Sequence, residues 1–228
     1  MKSGILQQPD RDEVLAQTLI VNEIFLSIQG ETSLAGIPTV FVRLTGCPLR
    51  CQYCDTAYAF DAGGKMHVSA ILQAVSDYRT QHVTVTGGEP LAQKTCLRLL
   101  SLLCDEGYQV SLETSGAIDV SSVDERVIKI LDLKTPGSGE MARNRYENLE
   151  FLLPHDEIKF VVCDRADYEW SKTKLAEYRL NERCQVLFSN SHDQLPARQL
   201  ADWILEDRLT VRLQIQLHKY LWGDVPGR

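Results

Sequence analysis

A chain of 228 residues with 44% hydrophobic content is long enough for one full-sized domain with its own core. Its net charge of −7 and the lack of a Lys/Arg run argue against a nucleic-acid partner, and no stretch of about 18 apolar residues exists to span a membrane. Seven cysteines, three of them within Cys47–Cys54, are no disulfide framework; they fit a reducing, cytoplasmic compartment and a metal site.

Residues 1–19 are polar, carry no signal-peptide core, and are expected to be a disordered extension ahead of a single domain over 20–228. Residues 20–28 stand outside the later pattern and read as an edge strand or a cover for the mouth of the fold. They run into Ser27-Ile28-Gln29-Gly30-Glu31, by itself a polar turn. Residues 39–44 read as a strand, in which Arg43 needs either an internal ion pair or a carboxylate-bearing ligand reached through a bidentate fork.

That strand leads into Cys47-Pro48-Leu49-Arg50-Cys51-Gln52-Tyr53-Cys54. Three thiolates leave one position of a metal centre open, whereas a closed zinc site or an ordinary electron-transfer 4Fe-4S cluster wants four protein ligands. A zinc knuckle completed by His67 or His82, or three unlinked thiols, is the plainer alternative. Tyr53 would shield the centre or pack on a ligand, and Thr56 reads as a turn or cap residue.

Val68, Ile71, Leu72 and Val75 share one helix face, with Ser69 a possible cap. Residues 82–86 form a short β-branched strand ending in Thr86-Gly87-Gly88-Glu89-Pro90, where the glycines allow close backbone approach to a ligand or simply make a turn. A buried helix is expected over 97–104, then strands at 109–113, 127–133, 157–163, 185–189 and 211–217, with helical runs at 144–152, 167–178 and 197–205. Such alternation implies right-handed crossovers and a mainly parallel sheet. The units are too few for a closed eight-stranded barrel, so an open, partial parallel β/α barrel follows, with ligands at the carboxyl ends of the strands. Cys96, Cys104, Cys163 and Cys184 lack ligand spacing and read as small buried hydrophobes.

The cysteine spacing together with Gly87-Gly88-Glu89-Pro90 resembles the radical S-adenosylmethionine (SAM) enzymes. Asn22-Glu23-Ile24-Phe25, Ser27 to Glu31, Phe41 to Cys47, Cys54-Asp55-Thr56, Glu113 to Gly116, Asp132-Leu133-Lys134 and Leu217 to Tyr220 make the resemblance narrower, to the 7-carboxy-7-deazaguanine synthases, over nearly the whole chain. The resemblance implies a partial barrel of radical SAM type and a lyase in queuosine biosynthesis. Its substrate would be 6-carboxy-5,6,7,8-tetrahydropterin and its products 7-carboxy-7-deazaguanine and ammonia, formed by ring contraction. Cys47, Cys51 and Cys54 would hold a 4Fe-4S cluster, with SAM on its open iron. Tyr53, Cys54, Asp55, Gly88, Glu89, Glu113, Ser115, Asp132, Leu133, Lys134, Ser189, Asn190, Ser191 and His192 are the implied cofactor contacts. Relatives often have proline where Asn190 stands, which weakens the transfer at that loop. Ile28, Gln29, Gly30, Arg43 and Thr86 would contact substrate, and Thr56 would bind Mg²⁺ beside the substrate carboxylate. His218 and Lys219 would touch substrate or pin the tail. The resemblance further implies a flavodoxin- or ferredoxin-like electron donor and a homodimer. A glycyl-radical activating enzyme would share the cluster segments, and a non-enzymatic zinc module remains the alternative of another class.

Overall fold

The computed structural model describes residues 10–223, 225 and 227. One nine-stranded sheet, in the order β3-β1-β2-β4-β5-β6-β7-β8-β9, forms its frame. Seven of these strands run parallel: β2 (Pro38–Leu44), β4 (His82–Gly87), β5 (Gln109–Thr114), β6 (Ile128–Asp132), β7 (Glu157–Val162), β8 (Gln185–Asn190) and β9 (Arg212–Gln214). From β2 to β8 their interiors are buried and mostly apolar, as at Val40, Val42, Val83, Val85, Leu112, Ile158 and Phe160, which is the pattern of strands covered on both faces. The sheet ends at β3 and β9 without closing, so the partial barrel is open along one side.

The first strand meets the edge expectation in part. β1 (Thr18–Ile28) runs antiparallel to β2; its first four residues also pair with β3 (Gly64–His67) and so lie inside the sheet, while residues 22–28 have β2 as their one strand partner. β3 escapes a sequence reading because Gly-Lys-Met-His is short and unpatterned. Thr18 and Leu19 already pair with His67 and Met66, and α1 (Arg11–Leu15), capped by Asp10, seats Val14 in the core. Residues 10–19 are thus structured, while 1–9 lie outside the described residues.

α2 (Val68–Asp77), α3 (Cys96–Asp105), α4 (Arg165–Glu177) and α5 (Ala197–Glu206) follow the expected runs closely. His67, not Ser69, stands at the cap of α2, its Nδ1 hydrogen-bonded to the Ala16 carbonyl at 2.9 Å. The run 144–152 is not an α-helix but a 3-10 turn over Tyr146–Phe151. Its polar side chains are spent on neighbouring backbone: Asn144 exchanges two 2.8 Å bonds with Lys134, and Asn148 donates to the Gly116 and Ile118 carbonyls. The last strand stops at Gln214, and Leu217 opens α6 (Leu217–Trp222) instead. Cys96, Cys163 and Cys184 are buried and Cys104 is half-buried; all four are free thiols. No helix among the described residues is long and apolar enough to cross a membrane.

Candidate active site

A cleft of about 590 Å³ occupies the open barrel, and the side chains around it come from almost every strand. The parallel strands deliver their carboxyl ends to it: the cysteine loop after β2, Gly87-Gly88 at the end of β4, Ser115 after β5, Asp132 and Lys134 at the end of β6, and Ser189 to His192 at the end of β8. The turn Gln29-Gly30-Glu31 arrives differently. It leaves the antiparallel β1, whose last residue pairs with the first of β2, and reaches the first residue of β7, where the Ser33 amide donates to Glu157 Oε1 at 2.9 Å.

Cys47, Cys51 and Cys54 all line the cleft. Three contacts tie their loop down: Gln52 donates from its backbone to the Ser138 carbonyl at 3.1 Å and from its side-chain amide to the Gly137 carbonyl, and the Arg50 amide donates to Glu140 Oε1 at 2.6 Å. Gly88 lies against the same loop. A Cβ there would overlap the Gly46 carbonyl oxygen and approach Cys47 Cβ to 3.0 Å, while Gly87 has a φ of +138°. Burial pushes the Cys51 thiol up to about 11, with Lys134 pulling the other way, and burial likewise raises Cys47. Among the described residues no three His, Cys, Asp or Glu side chains converge tightly enough to hold a single metal ion. Three soft thiols on one loop, near enough to act on one another electrostatically and lacking a fourth protein ligand, suit a cluster with one open iron better than a closed zinc site. Neither His67 nor His82 lines the cleft to complete a zinc knuckle.

Tyr53 presents its ring to Lys134, with Nζ 5.8 Å from the centroid, and its buried hydroxyl has no hydrogen-bond partner. Lys134 donates to Asp132 Oδ2 at 2.8 Å, leaving Asp132 Oδ1 buried and unpartnered. Arg43 pairs through Nε with Glu23 at 2.8 Å and still lines the cleft, so the ion pair and the ligand-facing position coexist. Gln29 is fixed at both ends of its amide: Nε2 donates to Thr84 Oγ1 at 3.2 Å, and Oε1 accepts the Glu31 amide at 3.2 Å. Thr86 donates to Glu113 Oε2 at 3.0 Å. Burial holds the Glu113 carboxyl above the usual carboxylate range, a rise that nearby Lys159 opposes. Thr56 Oγ1 donates to Asp55 Oδ1 at 3.1 Å at the rim.

Two of the expected contacts stand back from the cleft. Glu89 is fully buried behind the glycines, where its carboxylate accepts from Thr114 Oγ1 and from Ser115 N and Oγ, and caps Leu91 N. The Leu133 side chain is in the core, and its amide donates to the Lys159 carbonyl at 2.9 Å. All the others line the cleft, as do His218 and Lys219.

Three further residues complete the wall. Lys159 Nζ donates to Glu31 Oε2 at 2.7 Å and lies 3.9 Å from Asp132 Oδ2; Gln216 Nε2 donates to Glu31 Oε1 at 2.9 Å. A lysine between Ile158 and Phe160 on a buried strand poses the same question as Arg43, so Lys159 was open to sequence reasoning. Gln216 carries no such signal.

The family model for the radical SAM superfamily matches residues 41–136. The 7-carboxy-7-deazaguanine synthase of Chlorobaculum tepidum is 46% identical over 208 residues, covering 90% of this chain and 94% of that protein. Those of Koribacter versatilis and Thermoplasma acidophilum are 43% and 34% identical, with 96% and 100% of their lengths covered by 89% and 92% of this chain. In three dimensions the crystal structure of QueE from Escherichia coli shares the fold, with a TM-score of 0.75 at 24% identity over 92% of this chain and 100% of that one.

Proposed function

The chain belongs to the 7-carboxy-7-deazaguanine synthase family of radical SAM enzymes, and from that membership we propose that it converts 6-carboxy-5,6,7,8-tetrahydropterin to 7-carboxy-7-deazaguanine with loss of ammonia. The observation that carries the reading is one shared cleft. The three thiols and Gly87-Gly88 stand at the carboxyl ends of the strands, and Gln29, Gly30, Arg43 and Thr86 line the same space.

Cys47, Cys51 and Cys54 would hold a 4Fe-4S cluster, which with SAM supplies a hydrogen-abstracting radical and so carries the hard chemistry. The chain's own residues bind, orient and exclude. Gly88, whose missing Cβ lets it pack against Gly46 and Cys47, brings its backbone to the cleft beside the cluster, where the amino acid moiety of SAM would lie. Tyr53 offers a ring face to the adenine. Arg43, its Nε side held by Glu23, turns its terminal nitrogens to the substrate carboxylate. Gln29 and Gly30 read the pterin edge by amide and backbone groups. Thr56 would share a Mg²⁺ ion with that carboxylate; a hard cation that keeps most of its waters needs few protein ligands. The buried Glu113 carboxyl, with Thr86 beside it, sits where a proton can be held during amine loss.

A flavodoxin- or ferredoxin-like donor, a homodimeric assembly and a cytoplasmic setting belong to the same reading. The test is anaerobic turnover of reconstituted protein with SAM, reductant, Mg²⁺ and the carboxytetrahydropterin, followed by mass spectrometry. The expected result is carboxy-deazaguanine formed without stoichiometric loss of SAM. Accumulation of 5′-deoxyadenosine without a deazapurine would overturn the substrate; no SAM cleavage by cluster-loaded protein would overturn the enzyme.

A further inference from the structure

Resting on the reading of this cleft as a pterin and SAM site, we propose that Gln216 is a positioning residue for the reaction. Its amide ties Glu31, on the substrate side, to Asp55, next to the Cys54 thiol, and so sets the width of the cleft between the two ligands.

Gln216 Nε2 donates to Glu31 Oε1 at 2.9 Å and to Asp55 Oδ2 at 3.0 Å. A primary amide has two N–H groups, and both are used here. The other carboxylate oxygens are taken as well: Glu31 Oε2 by Lys159 at 2.7 Å, Asp55 Oδ1 by Thr56 at 3.1 Å. The contacts continue from Lys159 to Asp132, from Asp132 to Lys134, and from Lys134 to the ring of Tyr53. A belt of polar groups therefore leaves the cysteine loop at Asp55, circles the cleft, and returns to that loop at Tyr53.

Gln216 is the neutral link in this belt, and it joins two anions. Carboxylates brought this close repel unless a donor stands between them. An amide satisfies both without adding charge to the cleft. The backbone holds it in place: Leu217 N donates to the Gly30 carbonyl at 2.9 Å, and the His218 ring fills the space a Cβ on Gly30 would need. This contact bridges the open side of the barrel, where strand pairing is missing. Without Gln216 the turn carrying Gln29 to Glu31 and the loop carrying Asp55 and Thr56 lose their direct link and keep only the longer route through Lys219, 3.8 Å from Asp55 Oδ2, and the Leu217–Gly30 backbone bond, so the pterin loses its fit before the thiols lose theirs.

The experiment compares Gln216→Met, which keeps bulk and loses both donors, with Gln216→Glu, which keeps shape and adds a third carboxylate. In reconstituted holoenzyme the KM for the carboxytetrahydropterin should rise about tenfold in the Met variant and about a hundredfold in the Glu variant. The KM for SAM should stay within about twofold. A packing role predicts the reverse order, because Glu is nearly isosteric. A second readout needs no turnover: at a pterin concentration near the wild-type KM, hydrogen exchange in residues 28–31 and 214–222 should slow in the wild-type holoenzyme, and should slow far less in either variant. An unchanged pterin KM, or a Met variant worse than the Glu variant, overturns the proposal, as does loss of the cluster from variants that fold. Wild-type enzyme that binds SAM but neither binds nor converts the pterin overturns the substrate reading itself, and this inference with it.

Discussion

Glu23 and Arg43 face each other across the β1–β2 ladder and meet at 2.8 Å on the wall of the cleft. Tyr58 donates to the same Glu23 oxygen at 2.9 Å, and the guanidinium sits 5.7 Å and 5.8 Å from the ring centroids of Phe25 and Tyr58. A cation held by an anion and two rings is aimed before any ligand arrives, which lowers the ordering cost of binding.

Arg43→Lys should therefore not behave as a conservative change, since an ammonium can neither fork nor stack in the same plane. The expected outcome is a KM for the carboxylated pterin raised at least about tenfold, with a smaller change for an analogue lacking the carboxylate. Steady-state kinetics with the two compounds checks it.

Gly88→Ala should lose the cluster while the protein still folds. The added Cβ would collide with the Gly46 carbonyl and crowd Cys47 Cβ, backbone and ligand that cannot both give way. Gly30→Ala meets the His218 ring first, a side chain that can rotate, so its effect should fall on substrate affinity and leave iron alone. Iron and sulfide content after anaerobic reconstitution separates the two.

Cluster assembly should strengthen with rising pH. Burial raises the Cys47 and Cys51 thiols, the latter to about 11, so each carries a proton at neutral pH that metal binding must expel. Since protons are released, affinity rises as pH approaches the thiol pKa. Equilibrium iron occupancy at fixed free iron and sulfide should thus be higher at roughly pH 8.5 than at roughly pH 6.5.

Outside the cleft lining, Lys129 and Asp156 form a fully buried ion pair at 2.9 Å, and Asp156 also accepts the backbone amides of Lys129 and Leu153, each at 2.7 Å. Asp156→Ala strands a buried ammonium and two amides. A loss of about 3–5 kcal/mol is expected, read as a lower urea midpoint.

Strand–helix alternation made the parallel half of the fold legible, because β2 and β4 through β8 are short β-branched or apolar runs whose period leaves little choice. The antiparallel start was not legible. β1 has a mixed burial pattern and a register shift between Val21 and Glu23, and its partner β3 is four residues long. The thiols and glycines announced themselves by spacing, since chemistry demands those residues at those intervals. Lys159, a lysine on a buried strand, gave a signal of its own, but Glu31 and Gln216 did not, because their roles arise from contacts between residues more than a hundred positions apart in the chain. Glu89 shows the converse: a motif residue beside the ligands in sequence is committed to holding two loops together behind them.

The open sheet carries a consequence for behaviour in solution. The two outermost strands are short: β3 has four residues, with Lys65 and His67, and β9 has three, beginning with Arg212; past β3, residues 22–28 of β1 pair with β2 alone, and Tyr78 donates to the Ile24 carbonyl there. Brief, charged margins offer a poor template for strand addition. An unclosed barrel can in this way leave both rims bare and still resist edge-to-edge aggregation. Two copies that associate would be expected to meet through side-chain surfaces, leaving each cleft bounded by its own sheet.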